Sequence, residues 1–353
     1  MNPLEHELEY PWDTQQPGPG QALEVAPGVH WIRMPLPFAL DHINLWLVRD
    51  EVDGRAGWTV VDCGVSRDEV KALWEQVFDG VMEGLPVLRV VVTHMHPDHV
   101  GLAHWLCARW DAPLYMTMTD YTVARLWSLG PGAGAGAGGD AAVAHFARHG
   151  LTDPAAQEQI RARATYYPGL VPNVPARFVR MMDGNEISIG GRSWRVIVGY
   201  GHAPEHASLY CAQAGVLISG DMVLPRISTN ISVFDYEPEG NPLPLYLSSL
   251  QRFADLPADT LVLPSHGRPF RGLHQRIAQQ HAHHAERLDE VLQACATPKS
   301  TADIVPMMFK RKLDLHQMTF AMGEALAHLH ALYFEGKLTR CTGEDGIVRF
   351  AAA

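Results

Sequence analysis

Four side chains of the kind that bind metals fall within six residues of this chain, in His94-Met95-His96-Pro97-Asp98-His99. The run follows an apolar strand pattern, Leu88-Arg89-Val90-Val91-Val92-Thr93, and precedes a helical pattern from Val100 to Trp110. A regular strand or helix would turn such neighbours to different sides, whereas a loop at a strand end points them at a common centre. Three later residues share this setting. His202 lies in Gly201-His202-Ala203-Pro204-Glu205-His206, just after the strand Ser193–Val198. Asp221 follows Ile218-Ser219-Gly220, and His266 follows Leu263-Pro264-Ser265. Each is a metal-type ligand at the end of an apolar strand.

The 353 residues suit one large catalytic domain and a small appendage. A hydrophobic share of 47% with 19% charged residues is that of a globular chain able to bury a sizeable core. The net charge of -11 weighs against general attraction to polyphosphate. Cys63, Cys107, Cys211, Cys295 and Cys341 are odd in number and far apart, which points away from a disulfide framework and toward a reducing cytosol. The acidic start, with Glu5, Glu7 and Glu9, has no basic flank, and no apolar run reaches membrane-spanning length. A soluble, cytoplasmic protein is expected.

Residues 1–22 read as a loose N-terminal arm. His30–Met34 and Asn44–Val48 read as a hairpin pair, Trp58–Asp62 as the next strand, and Ser66–Phe78 as a helix capped by Ser66 with Glu69 three residues on. Residues 117–175 form a helical insertion that holds the low-complexity run Gly130–Gly139 and the aromatic residues Trp127, Phe146, Tyr166 and Tyr167. It is either a surface excursion or a mobile lid. A second series of strands, Phe178–Met181, Glu186–Ile189, Ser193–Val198, Ser208–Cys211, Val216–Ser219 and Thr260–Leu263, predicts two sheets packed face to face with helices outside. A helical pattern covers Pro269–Ala296. Residues 297–353 then give a short helix capped by Thr301, a longer helix Thr319–Glu335, and a hairpin turning at Gly343-Glu344-Asp345-Gly346, the element order of a winged helix.

As an ordered set the ligand motifs resemble the metallo-β-lactamase superfamily over roughly residues 25–285. The resemblance implies an α/β fold, the αββα sandwich, spanning residues 23–296 and holding two metal ions at one edge. Carried over residue by residue, His94, His96 and His202 would hold one ion and Asp98, His99 and His266 the other, with Asp221 bridging. Asp98 and Asp221 are then the catalytic carboxylates, and a hydroxide shared by the two ions the nucleophile. Imidazole and carboxylate donors suit zinc, with iron or manganese compatible. Asp62, in Val60-Val61-Asp62-Cys63-Gly64, resembles the family's first aspartate motif and is expected behind the ligands. True β-lactamases of this fold lack the bridging aspartate, so the presence of Asp221 disfavours antibiotic hydrolysis. Ser265 stands where many relatives have glycine. His206 is read equally as a donor near the site or as a structural hydrogen-bonding group, and His42, His281, His283, His284, His328 and His330 as packed or solvated.

From Gly220 onward the chain resembles a subgroup with a C-terminal winged helix, through Gly220–Pro225, Leu263–Pro269, His283-His284-Ala285-Glu286-Arg287 and Gly323–Leu329. Its relatives include thioesterase-type enzymes like glyoxalase II and a ribonuclease. Three functions follow as expectations: hydrolysis of a small-molecule carboxylic ester or thioester, cleavage of single-stranded RNA at the same site, and nucleic-acid-binding regulation. The first is favoured by the acidic charge. The helix Thr319–Glu335 carries Glu324 and Glu335 but no Lys or Arg, which leaves nothing on it to grip phosphate. Packing, homodimerisation or pocket shaping are the roles expected of residues 297–353.

Overall fold

The computed structural model describes residues 2–130, 138–310, 313 and 315–353, with the backbone alone at 315 and 316. Most of the glycine-rich run, and Arg311, Lys312 and Asp314, lie outside the described residues. The chain forms two compact units: residues 1–129, 168–229 and 249–277 make the first, and 130–167, 230–248 and 278–353 the second.

The first unit contains two sheets. Strands β1 (Leu23–Ala26), β2 (Val29–Pro35), β3 (His42–Val52), β4 (Arg55–Val61), β5 (Val87–Val91), β6 (Leu114–Thr117) and β7 (Val179–Met181) pair in that order. The pairs from β1 to β4 are antiparallel and those from β4 to β7 parallel. The other sheet runs β12 (Leu261–Pro264), β11 (Val216–Gly220), β10 (His206–Cys211), β9 (Arg192–Gly199), β8 (Glu186–Ile189), with only β11 and β12 parallel. Trp31, Trp46, Val61 and Val91 of one sheet and Trp194, Val196, Leu209, Ile218 and Leu263 of the other share one buried cluster, so the sheets pack face to face as expected. Phe178–Met181 was expected among the second set of strands; instead β7 extends the first sheet beside β6.

Local expectations shift where tertiary contacts outbid propensity. Ser66 does not cap α1 (Asp68–Asp79), whose N-cap is Arg67 with no side-chain cap bond, and the Ser66 N–H donates instead to the Leu170 carbonyl at 3.0 Å. The single helix expected from Val100 breaks into α2 (Pro97–Val100) and α3 (Ala103–Trp110). Gly101 sits at the break, where a β-carbon would meet three backbone carbonyls, those of Pro97, Gly64 and Leu170, at 2.5 to 2.8 Å. The N-terminal residues pack rather than hang loose. Leu8 is buried, Tyr10 lies under the Arg268 guanidinium at 4.1 Å, Trp12 packs on the core cluster, and Glu9 and Arg271 exchange two backbone hydrogen bonds.

The insertion is helical as expected. It gives α4 (Met118–Ser128), α5 (Gly139–Arg148), α6 (Pro154–Ala162) and α7 (Tyr166–Leu170), and it buries Trp127, Phe146 and Tyr167. α8 (Pro242–Leu250) and α9 (Leu273–Ala294) follow. The C-terminal stretch has the expected order, α10 (Thr301–Met308), α11 (Leu315–Phe334) and the hairpin β13 (Leu338–Thr342) and β14 (Val348–Ala352). The cap of α10 is Ser300, not Thr301, in a reciprocal box with Asp303. No helix among the described residues is long and apolar enough to cross a membrane.

α11 buries polar groups as well as its apolar face. His284 donates from Nδ1 to His328 Nε2 at 3.2 Å, because His328 Nδ1 is already committed to the Glu324 carbonyl at 2.8 Å. His284, His328 and His330, expected to be packed or solvated, are fully buried. Glu324 accepts from Asn230 Nδ2 at 3.3 Å, and burial pushes its carboxyl up from 4.5 to about 7. The folded state thus keeps a proton that the unfolded chain releases between about pH 4.5 and 7. Stability should fall as pH rises through that window, by at most ~1.4 kcal/mol per unit. Glu324→Gln keeps an acceptor for Asn230 and is never charged, so in urea titrations from pH 5 to 8 its advantage over wild type should grow with pH. Parallel curves would contradict this.

Candidate metal centre

The parallel strands set the site. β4 and β5 end side by side at Asp62 and Thr93, and β11 and β12 end side by side at Asp221 and His266. The valine-rich β5 is buried on both faces, as a central parallel strand must be. After it, His96 is extended and Pro97 opens α2 at a position where a missing N–H costs nothing, which places Asp98 and His99 in the first helical turn.

All seven expected ligand side chains come together. His94, His96, His202 and Asp221 form one group whose ligand atoms lie within 4.8 Å of one another, and Asp98, His99 and His266 form another. In the first group His94 Nε2 is 2.9 Å from His96 Nδ1 and 3.2 Å from His202 Nε2. In the second, Asp98 Oδ2 is 3.4 Å from His266 Nε2 and 3.7 Å from His99 Nε2. Asp221 reaches both: Oδ2 is 3.3 Å from His202 Nε2 and 3.6 Å from His99 Nε2, while Oδ1 is 3.5 Å from His266 Nε2.

The outer nitrogens of His94, His99 and His266 are anchored, which turns their inner nitrogens toward the centre as the ligand atoms. His99 Nδ1 donates to Asp62 Oδ2 at 2.8 Å, and His266 Nδ1 donates to the His42 carbonyl at 2.9 Å. Asp62 also accepts from the Thr93 N–H at 2.8 Å and from the Thr93 hydroxyl at 2.9 Å, which leaves that hydroxyl to accept from His94 Nδ1 at 3.0 Å. His99 Nε2 and Asp221 Oδ1 are buried without a hydrogen bond. Buried polar atoms are rarely left so, and inward imidazole and carboxylate lone pairs in groups of three and four are what divalent cations take up. The residues present fit two ions.

Electrostatics agree. Burial alone would lower His99 and His266, yet the carboxylates of Asp62, Asp98 and Asp221 hold His99 well above the usual histidine range, and Asp221 and Asp98 lift His266 to about 10. Burial would raise Asp98, but His99 and His266 bring it down to about 2. His94, buried and surrounded by imidazoles, is pushed well below its ordinary value. The centre draws positive charge toward the carboxylates.

Asp62 stands behind His99 as expected, and further supporting residues take their places around the ligands. His206 is fully buried, and its Nε2 accepts the Asp221 N–H at 3.1 Å, so of its two readings the structural one is seen. Gly220, at φ +54°, must be glycine, since a β-carbon would sit 2.3 Å from that nitrogen. His42, expected to be merely packed or solvated, accepts from the Gly267 N–H at 3.2 Å besides holding His266. Asn44, fully buried, donates to the Pro264 and Gly267 carbonyls and accepts from Trp31 Nε1, all at 2.8 Å, pinning both flanks of His266.

A family model described as the metallo-beta-lactamase superfamily matches residues 39–266, and one described as a metallo-beta-lactamase-like C-terminal domain matches residues 288–353. The chain is similar to a solved beta-lactamase domain protein from Burkholderia ambifaria, at 58% identity over 100% of both chains with a TM-score of 0.94. It is 24% identical to a probable metallo-hydrolase, YqjP, of Bacillus subtilis (strain 168), over 87% of this chain and 93% of that one. A hydroxyacylglutathione hydrolase of Pseudomonas fluorescens (strain SBW25) is 30% identical over 41% of this chain and 54% of its own length.

Proposed function

This chain belongs to the metallo-beta-lactamase superfamily and is a metal-dependent hydrolase; from that premise we propose that its ions are zinc and its substrate a carboxylic ester or thioester. Five imidazoles with two carboxylates form a donor set suited to zinc. When bound, two such ions would bring the pKa of water toward neutrality and polarise a scissile carbonyl. The protein's own residues prepare that chemistry. Asp62 and the His42 carbonyl keep protons on the outer nitrogens of His99 and His266, and His206 orients the Asp221 backbone.

One observation carries the choice of substrate. The side chains acting most strongly on His94, His96, Asp98, His99, His206, Asp221 and His266 are one another, His202 and Asp62; no Lys or Arg is among these. An RNA strand carries a charge at every nucleotide and is gripped by cations along its path. A neutral acyl group needs none. The partial likeness to a hydrolase named for an acyl conjugate of glutathione supports the same reading.

We read the C-terminal stretch as a winged helix that serves packing rather than DNA. Its hairpin cations are already paired, Arg349 with Asp345 at 2.6 Å, Arg340 with Glu239 at 2.8 Å and Lys337 with Glu335 at 2.8 Å. The test is one panel run on zinc-loaded protein: acyl-CoA thioesters, aryl esters, an aryl phosphodiester, short single-stranded RNA and duplex DNA. Ester or thioester turnover should exceed phosphodiester turnover by about 100-fold, roughly 2.7 kcal/mol of discrimination. Faster RNA cleavage, or salt-sensitive micromolar binding of the duplex, would reverse the respective reading.

A further inference from the structure

Asp120 lies in the first turn of α4, away from every ligand motif in the sequence, and is fully buried. Its two carboxylate oxygens are used on two different loops. Oδ1 accepts the Met95 N–H at 2.8 Å, and Oδ2 accepts the Glu205 N–H at 2.6 Å. Met95 stands between His94 and His96, and Glu205 is three residues past His202. The same junction of β6 and α4 holds Glu205 twice more. The Thr117 hydroxyl donates to the Glu205 carbonyl at 2.8 Å, and the Thr119 N–H donates to Glu205 Oε2 at 3.0 Å.

These two loops supply the three imidazoles of the first ligand group. The spacing of His94 and His96 from His202 is therefore set by whatever joins the loops: the Ala207 N–H donates to the Thr93 carbonyl at 2.8 Å at their base, and one buried carboxylate joins them beside the ligands. Burial pushes the Asp120 carboxyl up to about 7 while its two backbone donors pull it down, so above that pH it is an ionised carboxylate that only accepts hydrogen bonds and matches both N–H donors without conflict. Two waters could satisfy the same donors, but they would not fix one loop against the other.

We propose that Asp120 is a positioning residue that holds the His94–His96 loop and the His202 loop at ligand spacing and so governs affinity for the ion held by His94, His96 and His202. This rests on the reading of the seven side chains as a two-ion site. In the second group His99 and His266 take their support from Asp62 and the His42 carbonyl, with no bond to Asp120.

Asp120→Asn separates this role from simple space filling. The amide has the same shape but offers one acceptor; its NH2 must face the other loop's N–H, so one of the two ties is lost. Zinc binding to the full-length protein, followed by competition with a chromophoric chelator, should resolve two affinities in wild type. In Asp120→Asn one should weaken by about 10–100-fold, as for other groups that orient ligands, with the other within about threefold. Thr117→Val, which frees the His202 loop at one point without touching Met95, should weaken the same ion by less. The double variant should fall short of the sum of the single effects, because both act through Glu205. If wild type binds two ions and Asp120→Asn changes neither affinity, or lowers both equally alongside its melting temperature, the role is structural only and the proposal fails. Wild type that takes up no zinc would overturn both this inference and the reading of the site.

Discussion

Asp221→Ala is expected to abolish hydrolysis and to leave the protein unable to hold its full complement of metal. Asp221 alone contributes to both groups, one oxygen facing His202 and His99 and the other facing His266. Removing it takes a ligand from each and leaves His202, His99 and His266 with one fewer negative charge among them. Groups that merely orient a ligand cost about 10–100-fold in metal affinity when lost, so a shared ligand should cost ~100-fold or more. The fold should survive, because the Asp221 N–H and carbonyl, which bond His206 and Thr229, are kept by alanine. Elemental analysis after zinc loading and desalting should give two ions per wild-type chain and one or none in the variant. Two ions retained by the variant would show that Asp221 does not bridge.

Asp62→Ala should be the most destabilising single change at the site. It strips the acceptor from three buried donors, the Thr93 N–H, the Thr93 hydroxyl and His99 Nδ1. It also leaves alanine at φ +62°, where a β-carbon crowds the following carbonyl and aspartate is better tolerated. Breaking a buried, hydrogen-bonded charged pair on one side costs about 3–5 kcal/mol. For a chain of this size that lowers the melting temperature by roughly 5 °C. Asp62→Asn retains one acceptor and should lose less. An alanine variant that melts with wild type would mean that water replaces the carboxylate, and the anchoring of His99 would need another account.

The ligands were legible in the sequence because their chemistry is concentrated: His94 to His99 lie within one loop, and His202, Asp221 and His266 each close an apolar strand. Of their supports Asp62 was expected from its motif and holds His99, but Asn44 and Asp120 were not, because a hydrogen bond to a distant backbone group leaves no local pattern. Asn44 reaches the Pro264 carbonyl across 220 positions, and Asp120 reaches the Glu205 N–H across 85. The same blindness explains the lesser misses. Ser66 looked like a cap, yet α1 starts after Arg67 and the Ser66 N–H bonds to Leu170, 104 positions away, while Val100 to Trp110 looked continuous until three carbonyls crowded Gly101. Strand Val179–Met181 reads like its successors, and only pairing with Tyr115, Met116 and Thr117 assigns it to the first sheet.

The division of ligands between the sheets has a consequence for how the protein is made. His94, His96, Asp98 and His99 follow strands of the first sheet, whereas His202, Asp221 and His266 follow strands of the second. Neither group is complete on one sheet. At about 5–20 residues per second of synthesis, the first ligands emerge from the ribosome on the order of 10 s before the last. For most of that interval neither ligand group can be complete. Loading therefore waits until the two sheets have closed on each other, and selection of the correct ion falls to a finished cavity of fixed spacing rather than to a mobile nascent chain.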